Sequence, residues 1–362
     1  MVSLIGSLTR NRASNGFEVM QALAARTAGV EQVAATASLL NTGAITGLVI
    51  DGDAAAGPLP GGRRGLLDAA APRREDGPRP GPPWRPAYSL HSGERMHDGA
   101  ARSSLLAAKH YDQPSVFRPE NLLREARRQR GLAAGPVPAV CVLDPDGDMV
   151  RTLHRAGRTR PAPDWACYHT DLHVTTAERL PIGIVGLAVG APFAVLVAEQ
   201  LFVSGCQLLL SVTSAGQIAP LGPTPYFVLI DRALRDEGTS HHYLPPSAFA
   251  EADPGLVARA LGALAGLTVP VHRGTSWTTD APYRETEEAI AAAAAQGAVA
   301  VEMETAALYA FARARGRSVL CFAHVTNQMA RIEGDFEKGA ADGTDAALAV
   351  IAAAARGCGF GV

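Results

Sequence analysis

From residue 114 onward, the chain alternates short, wholly apolar segments with longer amphipathic or alanine-rich segments. Short apolar runs bounded by turn residues are typical of strands buried on both faces, and the longer segments are typical of helices. Strands of this kind need helices on both faces of their sheet. The alternation therefore predicts an α/β fold, a three-layer αβα sandwich around a mixed, mostly parallel central sheet. The predicted strands are 138–143, 180–189, 207–212, 226–230, 269–274, 298–301 and 318–325, and the predicted helices are 119–130, 191–204, 254–266, 286–296, 304–315 and 340–356.

Small or polar residues follow several of these strands. The loops in question begin near Thr213, Trp277, Glu302 and Thr326. Because ligands of α/β sheets bind at the carboxyl ends of the strands, we expect these four loops to meet in one site. A glycine-rich turn ending at Gly190 does not match a dinucleotide fingerprint. It fits a strand-to-helix turn where the backbone approaches another group closely.

Three aspartates at alternate positions, Asp144, Asp146 and Asp148, follow the first predicted strand. This spacing resembles a calcium-binding loop. The twelfth position of such a loop needs a bidentate glutamate, and here it is Arg155. We interpret the segment as an Asp/Gly turn.

The first 95 residues differ in character from the rest of the chain. Residues 1–56 show only weak helical periodicity and predict a weakly structured extension. Fifteen of the 37 positions 57–93 are glycine or proline, so 57–95 is predicted to be a disordered linker. The dipeptide Gly93-Glu94, just before Met96, can be encoded by the purine run of a ribosome-binding site. We therefore hypothesise that translation starts at Met96 and that 96–362 is the folded domain.

Composition narrows the classes of function. A formal net charge of −2 leaves no basic excess to collect phosphates, so we expect neither a nucleic-acid nor a membrane partner. The five cysteines are scattered without a CxxC pair, which argues against a zinc site or a disulfide framework and predicts no metal. No apolar run reaches the roughly 18 residues of a membrane helix. The prediction by default is a cytoplasmic protein.

The segment 298–315 carries the most informative pattern. A short strand runs into Glu302-Met303-Glu304, and a helix of small residues follows at once. Carboxylates are rarely buried without a partner, so Glu302 and Glu304 should face a cleft or a hydrogen-bonding ligand such as the vicinal hydroxyls of a ribose. The alternative is a pair of acids that stabilise the positive end of the helix dipole.

Three segments, in this order, carry a resemblance: ALRDEGTSHHYLPPS, TSWTTDAPYRET and AVEMETAALYAFA. The chain resembles the nucleoside phosphorylase/nucleosidase superfamily, in its uridine- and purine-phosphorylase branch, over residues 114–355. The resemblance implies a catalytic domain at 96–362, an enzyme that cleaves a nucleoside with phosphate to free base and ribose 1-phosphate. It also implies a homo-oligomer, with nucleoside and inorganic phosphate as partners and no further cofactor. The alternatives are a hydrolytic nucleosidase on the same scaffold and a non-catalytic nucleoside-binding protein.

The resemblance also implies roles for single residues. Glu304 is the catalytic carboxylate that accepts from the ribose hydroxyls, Met303 packs beneath the sugar and Glu302 supports them. The segment 213–217, read as a loop, is similar to the family's phosphate loop. Its members Thr213, Ser214 and Gly216 are the phosphate or water site.

One departure concerns the phosphate. Ser211 stands where the family has an arginine, and the family's Gly-x-Pro-x-x-Arg element is absent. Arg235, Arg284 or an arginine of a neighbouring subunit would have to replace the missing charge. Otherwise water is the nucleophile.

A second departure from the family pattern concerns the residue that would contact the leaving base. Purine-specific members carry an aspartate where this chain has Asn327, and an amide is no general acid. Asn327 is therefore a candidate that hydrogen-bonds the base, and it favours a pyrimidine or a modified base. Further base-binding candidates lie in the predicted polar loop 274–285, namely Trp277, Asp280, Tyr283 and Arg284. His241 and His242 are interpreted as loop or interface residues and His324 as a core histidine.

Overall fold

The computed structural model describes residues 105–107, 109–329 and 333–361. The predictions for 1–56 and 57–95, and the proposed start at Met96, lie outside these residues. Ten strands form one sheet within the described part of the chain. They are β1 Val140–Asp144, β2 Arg160–Pro161, β3 His173–Ala177, β4 Leu180–Gly186, β5 Leu208–Gln217, β6 Tyr226–Asp236, β7 Phe249–Glu251, β8 Val271–Thr279, β9 Ala298–Glu302 and β10 Ser318–Asn327.

Seven α-helices accompany these strands in the described residues. They are α1 Pro119–Arg130, α2 Asp148–Arg155, α3 Ala191–Val203, α4 Pro254–Leu264, α5 Glu287–Ala295, α6 Thr305–Arg315 and α7 Thr344–Gly357. Helix α1 ends where predicted, because Gly131 takes a left-handed conformation with φ of 64° that suits glycine. Short 3₁₀ helices occur at Thr239–His242, Pro282–Arg284 and Ala340–Gly343.

The sheet is mixed, with the order β10-β6-β8-β9-β5-β1-β4-β3-β2 and β7 beside β6. Its two longest ladders, β5–β10 and β6–β8, are parallel. Helices α1, α3 and α6 pack together, and helices α2, α4 and α7 form a second group. The predicted α/β fold, three layers around a mixed and mostly parallel sheet, is confirmed.

Strand β10 pairs with both β5 and β6, and β9 pairs with both β8 and β5. The five strands β5, β10, β6, β8 and β9 therefore close on themselves. At the closure, Gly216 of β5 is the register partner of Asn327 on one side and of Val301 on the other. The closure places the predicted phosphate segment, the base candidate and the Glu-Met-Glu segment side by side.

Two predicted loops are strands. Residues 213–217 form the second half of β5, and residues 274–279 form the second half of β8. Their small, hydroxylated side chains gave a turn-like pattern, but pairing with β10 and β6 overrides that local preference. Helix α2 and strand β3 were not predicted, because their short sequences lack a sustained period.

No helix in the described residues is long and apolar enough to cross a bilayer. The same residues contain no group of three or more His, Cys, Asp or Glu side chains arranged to hold a metal ion.

Candidate active site

Glu302, the last residue of β9, is buried and engaged by four protein donors. Its Oε1 accepts from the hydroxyls of Ser276 at 3.0 Å and Thr278 at 2.5 Å. Its Oε2 accepts from the backbone N–H groups of Glu304 at 2.8 Å and Thr305 at 2.7 Å. Glu302 therefore joins β8 to the first turn of α6 and satisfies orphan N–H groups at that helix end. Its carboxylate fixes the Glu-Met-Glu segment, as the helix-terminus alternative expects.

Glu304 is buried as well, but only one of its oxygens has a partner. Oε1 accepts from the backbone N–H of Gly190 at 2.7 Å, whereas Oε2 has no hydrogen-bond partner among the described residues. Burial, followed by the charge of Glu302, raises the pKa of Glu304 to about 8, against the lowering effect of the Gly190 N–H and the Thr213 hydroxyl. A buried, unpartnered carboxyl oxygen is costly. A hydroxyl-bearing ligand would remove that cost.

Gly190 is the N-cap residue of α3 and has φ of 86°, a conformation that favours glycine. The close approach predicted for this glycine turn is thus made to the Glu304 carboxylate. Met303, between the two acids, is half-buried.

The predicted phosphate or water segment lies at the same edge of the sheet. Thr213 is buried, and its hydroxyl donates to the Ser214 carbonyl oxygen at 3.3 Å while its proximity lowers the pKa of Glu304. The backbone N–H of Ser214 donates to Asp146 Oδ2 at 3.1 Å, so a carboxylate of the protein already occupies this donor. Ser211 is buried and its hydroxyl has no partner among the described residues.

Asp146 belongs to the turn between β1 and α2 and makes an ion pair that sequence reasoning missed. Lys338 Nζ lies 3.2 Å from Asp146 Oδ2 and also binds Asp148. Burial raises the pKa of Asp144 to about 6, and the charges of Asp146 and Asp148 add to that effect. The alternating aspartates were the available signal for this acidic turn. No sequence signal pointed to Lys338, since it lies far along the chain from these aspartates.

A cavity of about 20 Å³ adjoins these groups. Lys338 is the only lysine or arginine among the described residues that line it, and Thr344 contributes a buried hydroxyl without a partner. The buried His324 also lines it, stacked on Phe227 at 4.3 Å between ring centroids. Burial lowers the pKa of His324 to about 4, so the imidazole is neutral at pH 7. The cavity therefore has room for about one water molecule, surrounded by polar and acidic groups.

Asn327 is brought to the site, at the end of β10, but its amide is engaged locally. Its Oδ1 accepts from Met329 N at 2.9 Å, and its Nδ2 donates to Thr326 Oγ1 at 3.2 Å. Gly216 lies against the same turn, because a Cβ atom at this position would collide with Met329 Sδ. The packing of β5 against the turn after β10 is therefore close at Gly216, and a larger residue would displace the Met329 side chain.

The other base-binding candidates make their hydrogen bonds and packing contacts with groups other than Glu304. Trp277 is a buried residue of β8, in a small hydrophobic cluster with Leu234 and Val301, and its indole N–H donates to Asp236 at 3.0 Å. Asp280 is exposed and accepts from Gly238 N at 2.9 Å. Tyr283 is 99% exposed and Arg284 is exposed.

The two arginines considered as replacements for the missing phosphate ligand are placed elsewhere. Arg235 donates from all three guanidinium nitrogens to the 240–247 segment, including Ser240 Oγ at 2.8 Å and Pro245 O at 2.7 Å. Arg284 lies on the surface. His241 contacts Arg235, with Nδ1 3.2 Å from its guanidinium, which agrees with a loop role for the histidine.

Comparison with known proteins shows which family this chain resembles. Residues 139–357 match the model of the phosphorylase superfamily. A uridine phosphorylase of Thermococcus kodakarensis is 28% identical over 111 residues, which are 31% of this chain and 40% of that relative. The match thus spans less than half of the relative's length.

Two solved structures share the fold. The uridine phosphorylase of Vibrio fischeri, complexed with 6-hydroxy-1-naphthoic acid, superposes with a TM-score of 0.51 at 21% identity, covering 64% of this chain and 93% of that one. The purine nucleoside phosphorylase of Toxoplasma gondii, in complex with immucillin-H, gives a TM-score of 0.51 at 16% identity, covering 61% and 90%. With its family model matched over most of the domain, this chain belongs to the phosphorylase superfamily.

Proposed function

We propose that this protein cleaves the N-glycosidic bond of a nucleoside. The unpartnered Oε2 of the buried Glu304 carries the proposal, because it is an acceptor placed for a sugar hydroxyl at the edge of the sheet where α/β folds bind ligands. Ionised Glu304 accepts from the ribose 2′- and 3′-hydroxyls. Its negative charge then stabilises the transition state, in which positive charge develops on the sugar ring.

The nucleophile that the geometry supports best is water. The Asp146 carboxylate occupies the Ser214 N–H, the adjoining cavity has a volume of about 20 Å³, and its lining has one lysine against four aspartates. A phosphate dianion would be repelled by this charge and would have to displace Asp146. In the hydrolytic reaction, the water oxygen bonds to C1′ as the C1′–N bond breaks, and Asp146 accepts the proton that the water loses. The base leaves with the bonding electrons and takes up a proton from solvent.

Phosphorolysis to free base and ribose 1-phosphate is the second candidate. Lys338 supplies a cation next to Ser214, and the curated relative and the solved structures are phosphorylases. This candidate requires phosphate to take the place of the Asp146 carboxylate. For either nucleophile, the amide at Asn327 cannot protonate a purine, so a pyrimidine or a modified base is the proposed leaving group. The homo-oligomer and the cytoplasmic location stay predictions.

The deciding experiment incubates the protein with a panel of nucleosides, with and without phosphate, and follows base and sugar by chromatography. Free ribose at a rate independent of phosphate is the expected result. Ribose 1-phosphate that forms only with phosphate would overturn hydrolysis and support the second candidate. Binding of a nucleoside without any turnover would overturn both and identify a nucleoside-binding protein.

Asp146→Asn tests the nucleophile site directly. We expect hydrolysis to fall at least about tenfold, since a positioned general base contributes that much or more. Asp345→Asn is the matched control, because Asp345 is an exposed partner of Arg158 at 2.9 Å and should leave turnover unchanged. Unchanged hydrolysis in the Asp146 variant would remove this residue from the mechanism.

A further inference from the structure

A second cleft lies at the opposite end of helix α6 from Glu304. It has a volume of about 580 Å³ and is bordered by the start of α4, the last turn of α6 and the start of β10. Its lining on α6 consists of Tyr309, Ala312 and Arg313, and it includes no residue of the Glu-Met-Glu segment. The cleft is therefore separate from the candidate active site.

Three arginines from three positions of the chain line this cleft: Arg259, Arg313 and Arg317. All three are exposed, and no carboxylate of the described residues lies within ion-pair distance of any of them. Arg317 stacks its guanidinium over Phe202 at 5.4 Å, which leaves its N–H edge for another partner. By contrast, the neighbouring Arg315 is paired with Glu199 at 3.2 Å.

Two carboxylates, Glu251 and Asp253, also line the cleft, and neither lies within ion-pair distance of these arginines. Asp253 caps helix α4 by accepting from Leu256 N at 2.8 Å. Glu251, at the end of β7, is exposed and makes no ion pair with the arginines of the described residues. The lining thus carries three arginines against two carboxylates, and this excess of positive charge favours an anion in the cleft.

We propose that this cleft binds a small molecule that carries two or more linked phosphate groups, of the nucleoside diphosphate class. Guanidinium groups bind phosphate oxygens through paired, charge-assisted hydrogen bonds. Three arginines from separate chain positions can bind several phosphate oxygens at once. A ligand with a single carboxylate group would not engage all three. The volume falls within the range of small-molecule sites. The proposal does not depend on which nucleophile the active site uses.

The test measures binding of pyrophosphate and of ADP to the full chain by titration calorimetry at low salt. The double variant Arg259→Gln/Arg313→Gln should weaken binding of both at least tenfold, because each glutamine removes a charge-assisted contact. Arg160→Gln is the control, since Arg160 is an exposed arginine of β2 outside the cleft and without a carboxylate partner in the described residues. It should bind as the wild type does.

A further variant separates this cleft from the active site. Glu304→Gln should retain wild-type affinity for pyrophosphate, because Glu304 does not line the cleft. The proposal is overturned if the wild type binds neither probe at millimolar concentration. It is equally overturned if the double variant keeps wild-type affinity or if Glu304→Gln abolishes binding.

Discussion

Glu302 and Glu304 are two positions apart, yet their carboxylates have opposite surroundings. Four donors satisfy Glu302, whereas Glu304 keeps one buried oxygen without a partner. A satisfied buried carboxylate stabilises the fold, and an unsatisfied one costs free energy that a ligand can recover. We therefore expect substitution of Glu302 to act mainly on stability and substitution of Glu304 mainly on activity.

For Glu304→Gln we expect turnover of the nucleoside to fall at least about tenfold, since one charge-assisted hydrogen bond in the transition state is lost. In the wild type, kcat/KM should rise with pH as Glu304 ionises near its pKa of about 8. The variant should lack that rise. A pH–rate profile from pH 6 to 9 measures both, and an identical profile in the variant would contradict the assignment.

The same substitution has a predicted effect on stability. The pKa of Glu304 is raised from 4.5 to about 8 in the folded chain. Between these two pH values, the folded state therefore holds a proton that the unfolded state has already lost. The contribution of this proton to stability is present below pH 4.5 and disappears as pH rises to 8. Relative to the wild type, Glu304→Gln should therefore gain Tm as pH rises from 5 to 8. Thermal denaturation at these two pH values checks the sign.

For Glu302→Ala we expect the free energy of unfolding to fall by about 2–4 kcal/mol, because buried hydroxyls and N–H groups lose their acceptor. Denaturant titration measures the loss. Glu288→Ala is the control, since Glu288 is an exposed residue of the first turn of α5 and should change stability by about 0.5 kcal/mol or less. Equal effects in the two variants would show that Glu302 is not the anchor of this segment.

At the scale of elements, the junction before α7 depends on a glycine. Gly343 has φ of 74°, and a Cβ atom there would collide with the His324 ring and lie 2.7 Å from the carbonyl oxygen of Lys338. Gly343 thus lets α7 start directly behind β10, next to the cavity at Asp146.

Gly343→Ala should lower the free energy of unfolding by at least about 2 kcal/mol, from backbone strain and collision together. Gly262→Ala provides the opposite case, because Gly262 lies inside α4 with open space around it. That substitution should raise stability by roughly 0.5–1 kcal/mol. Urea titration of both variants checks the pair, and a stabilising Gly343→Ala would refute the account of this junction.

At the scale of the molecule, the closure of five strands brings the ends of β5, β9 and β10 together. Every candidate active-site residue lies within the described residues, and so does the sheet that supports them. We therefore expect a chain that begins at Met96 to keep the Tm and the turnover of the full chain. Mass spectrometry of the natively expressed protein tests the start itself, and a peptide from residues 1–60 would end the hypothesis.

Part of the site was predictable because its chemistry is local in sequence. The Glu-Met-Glu segment stands out from its own spacing at the mouth of a helix. The surroundings of Trp277 and Tyr283 could not be predicted, because an aromatic side chain in a short motif does not reveal whether it packs in a cluster or faces solvent. Asp146 and Lys338 meet across 192 positions, and no local pattern predicts that ion pair.

The sequence by itself determined the α/β class, since the period and apolar character of each segment decide whether it forms a strand or a helix. It also determined that two acids stand between β9 and α6. Only the tertiary structure decided which of them keeps an oxygen without a partner. The donors involved are Ser276 and Thr278 for Glu302 and Gly190 for Glu304, the last 114 positions away. Hydrogen bonds between such distant groups depend on how the strands close, which local preference does not encode.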